Sequence, residues 1–115
     1  MVTSVYIPDR GDVVWLDFTP QAGHEQAGRR PALVLSVASY NAASGLAICC
    51  PVTNQAKGYP FEVPAAAPSN YQLTGVVLAD HVRSVDWRAR NARKFAEVTP
   101  QCANDVSKRI KLLLP

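Results

Sequence analysis

The sequence predicts a small, mostly antiparallel β-barrel finished by one helix, and three observations carry that prediction. Short runs rich in β-branched and aromatic residues recur along the chain. Long polar connections separate them, instead of the regular helices that alternating βα units need. One strong helix signal stands at the C-terminal end, where Thr99 and Pro100 open a segment with apolar residues at helical spacing.

Asp12 to Phe18 (DVVWLDF) reads as a strand, broken by Thr19-Pro20. The stretch Thr19 to Arg29 holds Pro20, Gly23 and Gly28 among polar residues and is too long for a tight hairpin. It is expected to be a mobile excursion between two paired strands. Pro31 to Val37 (PALVLSV) is predicted as the second strand, with its proline at the start, where only the first ladder donor is lost. Tyr40 to Gly45 is expected to turn the chain.

Leu46 to Thr53 (LAICCPVT) is predicted as the third strand. Alternation puts Leu46, Ile48, Cys50 and Val52 on one face, expected to meet the core, and Ala47, Cys49, Pro51 and Thr53 on the other. Asn54 to Pro60 carries turn chemistry, Phe61 to Val63 a short strand, and Pro64 to Gly75 a loose surface segment. Val76 to Ala79 and His81 to Trp87 are predicted strands, and Phe95 to Val98 an edge strand. Thr99 then serves as N-cap and Pro100 as N1 of a helix whose Cys102, Val106, Ile110 and Leu113 face the sheet.

The 115 residues are one domain's worth, 48% apolar and 18% charged, enough to build a core without disulfide or metal staples. Residues 1–115 are therefore expected to form a single domain. No apolar run is long enough for a membrane span, and Met1-Val2-Thr3-Ser4 lacks the features of a secretory signal. A cytoplasmic location is expected. Cys49, Cys50 and Cys102 are an odd set, better read as small buried hydrophobes than as a disulfide framework. The net charge of +3 permits nucleic-acid binding without demanding it. Arg83, Arg88, Arg90, Arg93 and Lys94 cluster, and Arg29 and Arg30 adjoin; taken alone, each group is a solvated surface.

No phosphate-binding glycine loop, HExxH, CxxC or GxSxG is present, so neither cofactor nor metal is expected. His81 reads as a satisfied, half-buried side chain, and His24 as exposed beside Glu25. Arg30 precedes Pro31, which biases it toward extended backbone and a fixed guanidinium able to grip a phosphate. Thr53 ends a strand just before Lys57, and Glu25 lies five residues before Arg30. Singly these are an exposed arginine, a strand-end threonine and a loop carboxylate.

Together they lie in segments that resemble the MazF/PemK family of toxins, closest to its MazF branch. The segments are E-Q-x-G-x-R-P (Glu25 to Pro31), P-x-T-x-Q-x-K-G-Y-P-F (Pro51 to Phe61) and L-A-D-x-V-x-S (Leu78 to Ser84), in order. The resemblance runs from about Tyr6 to the C-terminus. It implies an SH3-like β-barrel of the MazF/Kid/CcdB type and a homodimer. It also implies a ribosome-independent endoribonuclease cutting single-stranded mRNA at a short, ACA-like site, with a MazE-like antitoxin as partner and operator DNA reached only through that complex. Carried onto this chain, the catalytic residues are Arg30, Thr53 and Glu25. His24, Gln26, Asn54, Gln55, Lys57 and Arg83 are expected along the RNA path. Two other classes stay open: a CcdB-like gyrase inhibitor on the same barrel, and a regulatory module that binds antitoxin and operator without cutting.

Overall fold

The computed structural model describes residues 5–18 and 28–114. Its elements are β1 (Asp12–Phe18), β2 (Gly28–Val34), α1 (Ala38–Ser44), β3 (Leu46–Thr53), β4 (Glu62–Pro64), β5 (Val76–Leu78), β6 (Arg83–Asp86), β7 (Arg93–Glu97) and α2 (Pro100–Leu113), with a 3₁₀ turn at Ala79–His81. The strands run β4-β5-β3-β2-β1-β7, all antiparallel, and β6 also pairs with β3. This is the mainly β fold with a C-terminal helix that the sequence predicts.

β3 organises the sheet. One edge meets β2 through Cys49 to Pro51, while the other meets β6 through Leu46 to Cys49 and then β5 through Val52 and Thr53. The strand is also covered on both faces by two separate cores, which corrects the expected one-sided pattern. Cys50 and Val52 enter a core with Val13, Leu33, Val77 and, from α2, Cys102 and Val106. Ala47 and Cys49 enter a second core with Val14, Leu16, Val34 and Trp87. Leu46, expected inside, is exposed at the strand's start. All three cysteines are free and buried, and burial pushes the Cys49 and Cys50 thiols up to about 12.

Other boundaries also move. β2 begins at Gly28, three residues before the expected start, because Phe18, Asp17 and Leu16 of β1 pair with Gly28, Arg29 and Arg30. Pro31 therefore lies inside the strand, on a stretch where β3 has not yet paired, and its missing donor is tolerated there. The expected turn at Tyr40 to Gly45 is a short helix, α1, closed by Gly45 in the left-handed region at φ 74° with its N–H donating to Asn41 O. Asn41 is fully buried. Its amide donates to Pro8 O and Ser36 O, its Oδ1 accepts from Ser36 Oγ, and its backbone O accepts from the indole of Trp87. β4 is displaced by one residue from the expected strand, and the predicted His81 to Trp87 strand shortens to β6 because the chain first makes the 3₁₀ turn. His81 is exposed on that turn, not half-buried, with Asp80 3.8 Å away.

α2 starts as expected, with Thr99 Oγ1 accepting from Cys102 N at 3.2 Å and Pro100 following. Cys102 and Val106 are buried and Ile110 packs at the edge, whereas Leu113 lies beyond the sheet and is exposed. Arg10 fastens the helix to the strands by donating to Leu35 O, Asn104 Oδ1 and Ser107 Oγ. No helix among the described residues is long and apolar enough to cross a membrane.

Candidate active site

Arg30 and Thr53 reach one end of the sheet on neighbouring strands. The β2–β3 pairing ends with Ala32 opposite Pro51; two residues beyond it along each strand lie Arg30, which pairs with Leu16 of β1, and Thr53, which pairs with Val76 of β5. Arg30 is exposed, and among the described residues its guanidinium makes no hydrogen bond or ion pair. Thr53 is half-buried, with Oγ1 accepting from Gln55 N at 3.1 Å, which leaves its hydroxyl proton free to donate.

Arg29 is engaged differently. It pairs with Asp17 and donates to Asn91 O, and Asn91 Nδ2 donates to the second Asp17 oxygen at 2.9 Å. The Asn91 amide foremost, with Arg29 beside it, holds the Asp17 carboxyl below the usual carboxylate range. Arg29 thus braces β2 against the turn before β7, and Arg30 is the arginine without a side-chain partner among the described residues.

Asn54 to Pro60 is a shaped loop. Glu62 accepts from the Lys57 and Gly58 N–H groups with both carboxylate oxygens at 2.8 Å, and Gly58 takes φ 82°. Arg109 Nε donates to Pro60 O at 2.9 Å, tying the loop to α2. Gln55 and Lys57 present exposed side chains. Arg83, on β6, is exposed with its guanidinium 5.6 Å from the Phe18 ring centroid, and Arg90 covers the same ring at 4.7 Å. Glu25, Gln26 and His24 lie outside the described residues.

The structure adds a feature that the sequence reading missed. Beside Thr53 opens a pocket of about 180 Å³ lined by Trp15, Pro31, Asn54, Gln72 and Phe95 among others. Trp15 and Phe95 stack with centroids 4.5 Å apart. Thr74 Oγ1 donates to Asn54 Oδ1 at 2.9 Å. Next to it Gly75, at φ 97°, lies so close that a Cβ would fall on the Thr53 carbonyl oxygen and 2.8 Å from Asn54 Oδ1. Gln72 to Gly75 belong to the segment expected to be loose surface, yet Tyr71 and Leu73 pack on the core and fix it. The only local signal was Gly75 itself. Among the described residues no three His, Cys, Asp or Glu side chains converge as a metal site.

The model for PemK-like, MazF-like toxins of type II toxin–antitoxin systems matches residues 9–114. The chain belongs to this family. It is 47% identical to the endoribonuclease toxin MazF of Escherichia coli K12 over 113 residues, covering 98% of this chain and 99% of that one. It is 33% identical to the Escherichia coli endoribonuclease PemK, covering 92% and 81%. A crystal structure of MazE–MazF from Deinococcus radiodurans superposes with a TM-score of 0.86 at 56% identity, covering 96% of this chain and 97% of that one. The family's fold and the observed sheet agree.

Proposed function

We propose that the protein is a sequence-specific endoribonuclease toxin that cuts single-stranded mRNA without a metal and is neutralised by a MazE-like antitoxin. What supports this reading is the position of exposed Arg30 and half-buried Thr53 just past the last β2–β3 pair, Ala32 and Pro51, within a family whose curated relatives are endoribonucleases. The ribose 2′-OH gives up its proton to a base as its oxygen attacks the adjacent phosphorus; the bond to the 5′-oxygen breaks, and that oxygen takes up a proton and leaves as a 5′-OH, so no net proton is gained or lost. A 2′,3′-cyclic phosphate remains. Arg30 supplies fixed positive charge to the phosphorane, and the free Thr53 hydroxyl proton donates to a non-bridging oxygen. Glu25 takes part in proton transfer or holds Arg30. Lys57, Arg83 and the other basic residues of the Arg83 to Lys94 stretch hold the backbone, so binding weakens steeply with salt.

A homodimer would present the site twice and flank it with basic residues, a surface suited to an acidic antitoxin tail that folds on binding and covers the RNA path. Operator DNA would be reached only through that complex, and the protein would work in the cytoplasm. A short, ACA-like triplet is the expected cut site.

The test is incubation of purified protein with a long RNA in EDTA, with the new 5′ ends mapped. Wild type cuts at a short recurring sequence. Arg30→Ala and Thr53→Val each lose about 10²–10³ in rate while keeping the far-ultraviolet spectrum of the folded protein. Folded variants that turn over normally would refute the assignment, and inhibition of supercoiling without RNA cleavage would point to a gyrase poison.

A further inference from the structure

α2 runs antiparallel to the chain from Pro60 to Ala66 and meets three of its carbonyls. Ala66 O accepts from Thr99 N at 2.8 Å, Pro64 O faces the Cys102 thiol at 3.6 Å, and Pro60 O accepts from Arg109 Nε at 2.9 Å. Pro64 ends β4, whereas Pro60 lies before it, at the end of the loop that presents Lys57. We infer that Arg109 is a positioning residue for RNA cleavage: it holds the Lys57 loop against the helix, so that the loop's exposed side chains meet RNA in a fixed place. This rests on the ribonuclease reading.

The helix is a firm reference for such a hold. Cys102 and Arg109 are two turns apart on one helix face, about 10.5 Å along the axis, and the chain from Pro64 to Pro60 spans at most about 13 Å. Side chains and carbonyls are therefore matched in spacing. Val106, between the two, is fully buried. The opposite face of α2 is fastened by Arg10 through Asn104 and Ser107.

The other bonds of the loop are local. Glu62 accepts from the Lys57 and Gly58 N–H groups, and its own N–H donates to Tyr59 O at 3.1 Å. These bonds fix the loop's shape but let it swing as a unit. The ladder with β5 reaches only as far as Phe61, whose O accepts from Ala79 N. Pro60 is the first residue outside it, and a proline offers no N–H, so its carbonyl is the one backbone group by which it can be held. Among the described residues the Arg109 bond is the only hydrogen bond between this loop and α2. An arginine that gripped RNA directly would do so with its charge and its terminal nitrogens; the bond to Pro60 uses Nε, a donor that an uncharged side chain can replace.

Glutamine places its amide nitrogen where arginine places Nε, so Arg109→Gln keeps the donor and removes the charge. The experiment compares wild type, Arg109→Ala, Arg109→Gln and, as a charge control, the exposed neighbour in Lys108→Ala, on a short RNA containing the wild-type cut site. Thermal unfolding checks folding, and alanine and glutamine are both good helix formers. Arg109→Ala is expected to raise KM about fivefold, the value of one hydrogen bond, with kcat at saturating RNA within about twofold of wild type. Arg109→Gln and Lys108→Ala keep the wild-type KM. Added to Lys57→Ala, Arg109→Ala costs nothing further, because it acts through the same loop.

An Arg109→Gln protein as weak as Arg109→Ala would show that the charge itself meets RNA and would overturn the inference. So would losses that add in full to that of Lys57→Ala, or a fall in kcat with KM unmoved. Lys108→Ala matching Arg109→Ala would reduce the effect to net charge and overturn it as well. A wild type that cuts no RNA would remove the ribonuclease reading and this inference with it. A cutting wild type whose KM survives Arg109→Ala removes this inference alone.

Discussion

Replacing Gly75 by alanine tests the tightest surroundings of any glycine among the described residues. Two costs add. The backbone at φ 97° is sparsely available to an L side chain and costs about 1–3 kcal/mol. The new Cβ must also displace the Thr53 carbonyl and Asn54 Oδ1, an overpacking cost of about another 1–3 kcal/mol. Gly45→Ala is the internal standard, since Gly45 also has positive φ but has no atom within 4 Å of an added Cβ; it bears only a left-handed penalty of about 1–2 kcal/mol. At roughly 4 °C per kcal/mol for a chain of this size, Gly75→Ala should melt clearly below Gly45→Ala. The displacement falls on the residue proposed to hold the phosphate, so RNA cleavage should drop about 10²-fold, the effect of a misplacement near 1 Å. Differential scanning calorimetry of both variants, paired with single-turnover RNA cleavage, decides it. Equal melting temperatures together with wild-type cleavage by Gly75→Ala would show that the approach between Gly75 and Thr53 is not a constraint.

Arg29→Ala should leave cleavage within a few-fold of wild type and barely move the urea midpoint, because the solvent-exposed Asp17 pair is strongly screened; a loss as large as that of Arg30→Ala would exchange the roles of the two arginines. Glu62→Gln removes one of the two acceptors that hold the Lys57 and Gly58 N–H groups. It should lower kcat/KM about tenfold with a stability loss near 1 kcal/mol, and unchanged kinetics would mean the loop shape is indifferent to this clasp. Burial and the Asp12 carboxylate raise Tyr6, and burial raises Cys49 and Cys50 to about 12. These groups keep their protons longer folded than unfolded, so their contribution is fully present below pH 9 and lost as pH rises toward and past 12. Tyr6→Phe should flatten that alkaline decline and cost about 1 kcal/mol at neutral pH through the lost 2.6 Å bond to Asp12, measured by chemical denaturation across pH.

Elements with strong local composition were legible. β1 and β3 match their expected bounds because uninterrupted apolar, β-branched runs end at clear breakers, and α2 matches because Thr99-Pro100 is a complete start signal. The start of β2 was not legible. Gly28, Arg29 and Arg30 are poor strand formers made extended by β1 and by the Arg29, Asp17 and Asn91 bonds, contacts made across distant sequence. α1 was hidden for a similar reason. Its seven residues lack a capping side chain, and the buried Asn41 bonds that hold it reach Pro8, Ser36 and Trp87. The faces of β3 were misread because alternation presumes one core and this strand serves two. At the site, the extended Arg30 and the strand-ending Thr53 follow from local rules. Gln72 and Thr74 do not, since only tertiary packing brings their segment against Asn54.

The two tryptophans give the molecule separate optical channels. Trp87 is 3% exposed, sits in the second core and donates its indole N–H to Asn41 O. Trp15 is half-buried and lines the pocket wall against Phe95. Emission from the first should be blue, inaccessible to iodide and altered only when the core melts. The second should be redder, quenched by iodide, and altered by whatever fills the pocket. With Trp87→Phe, emission from the remaining indole isolates events at the site. With Trp15→Phe, it isolates the integrity of the fold, so a ligand that perturbs both channels is unfolding the protein and one that perturbs the red channel alone is binding to it.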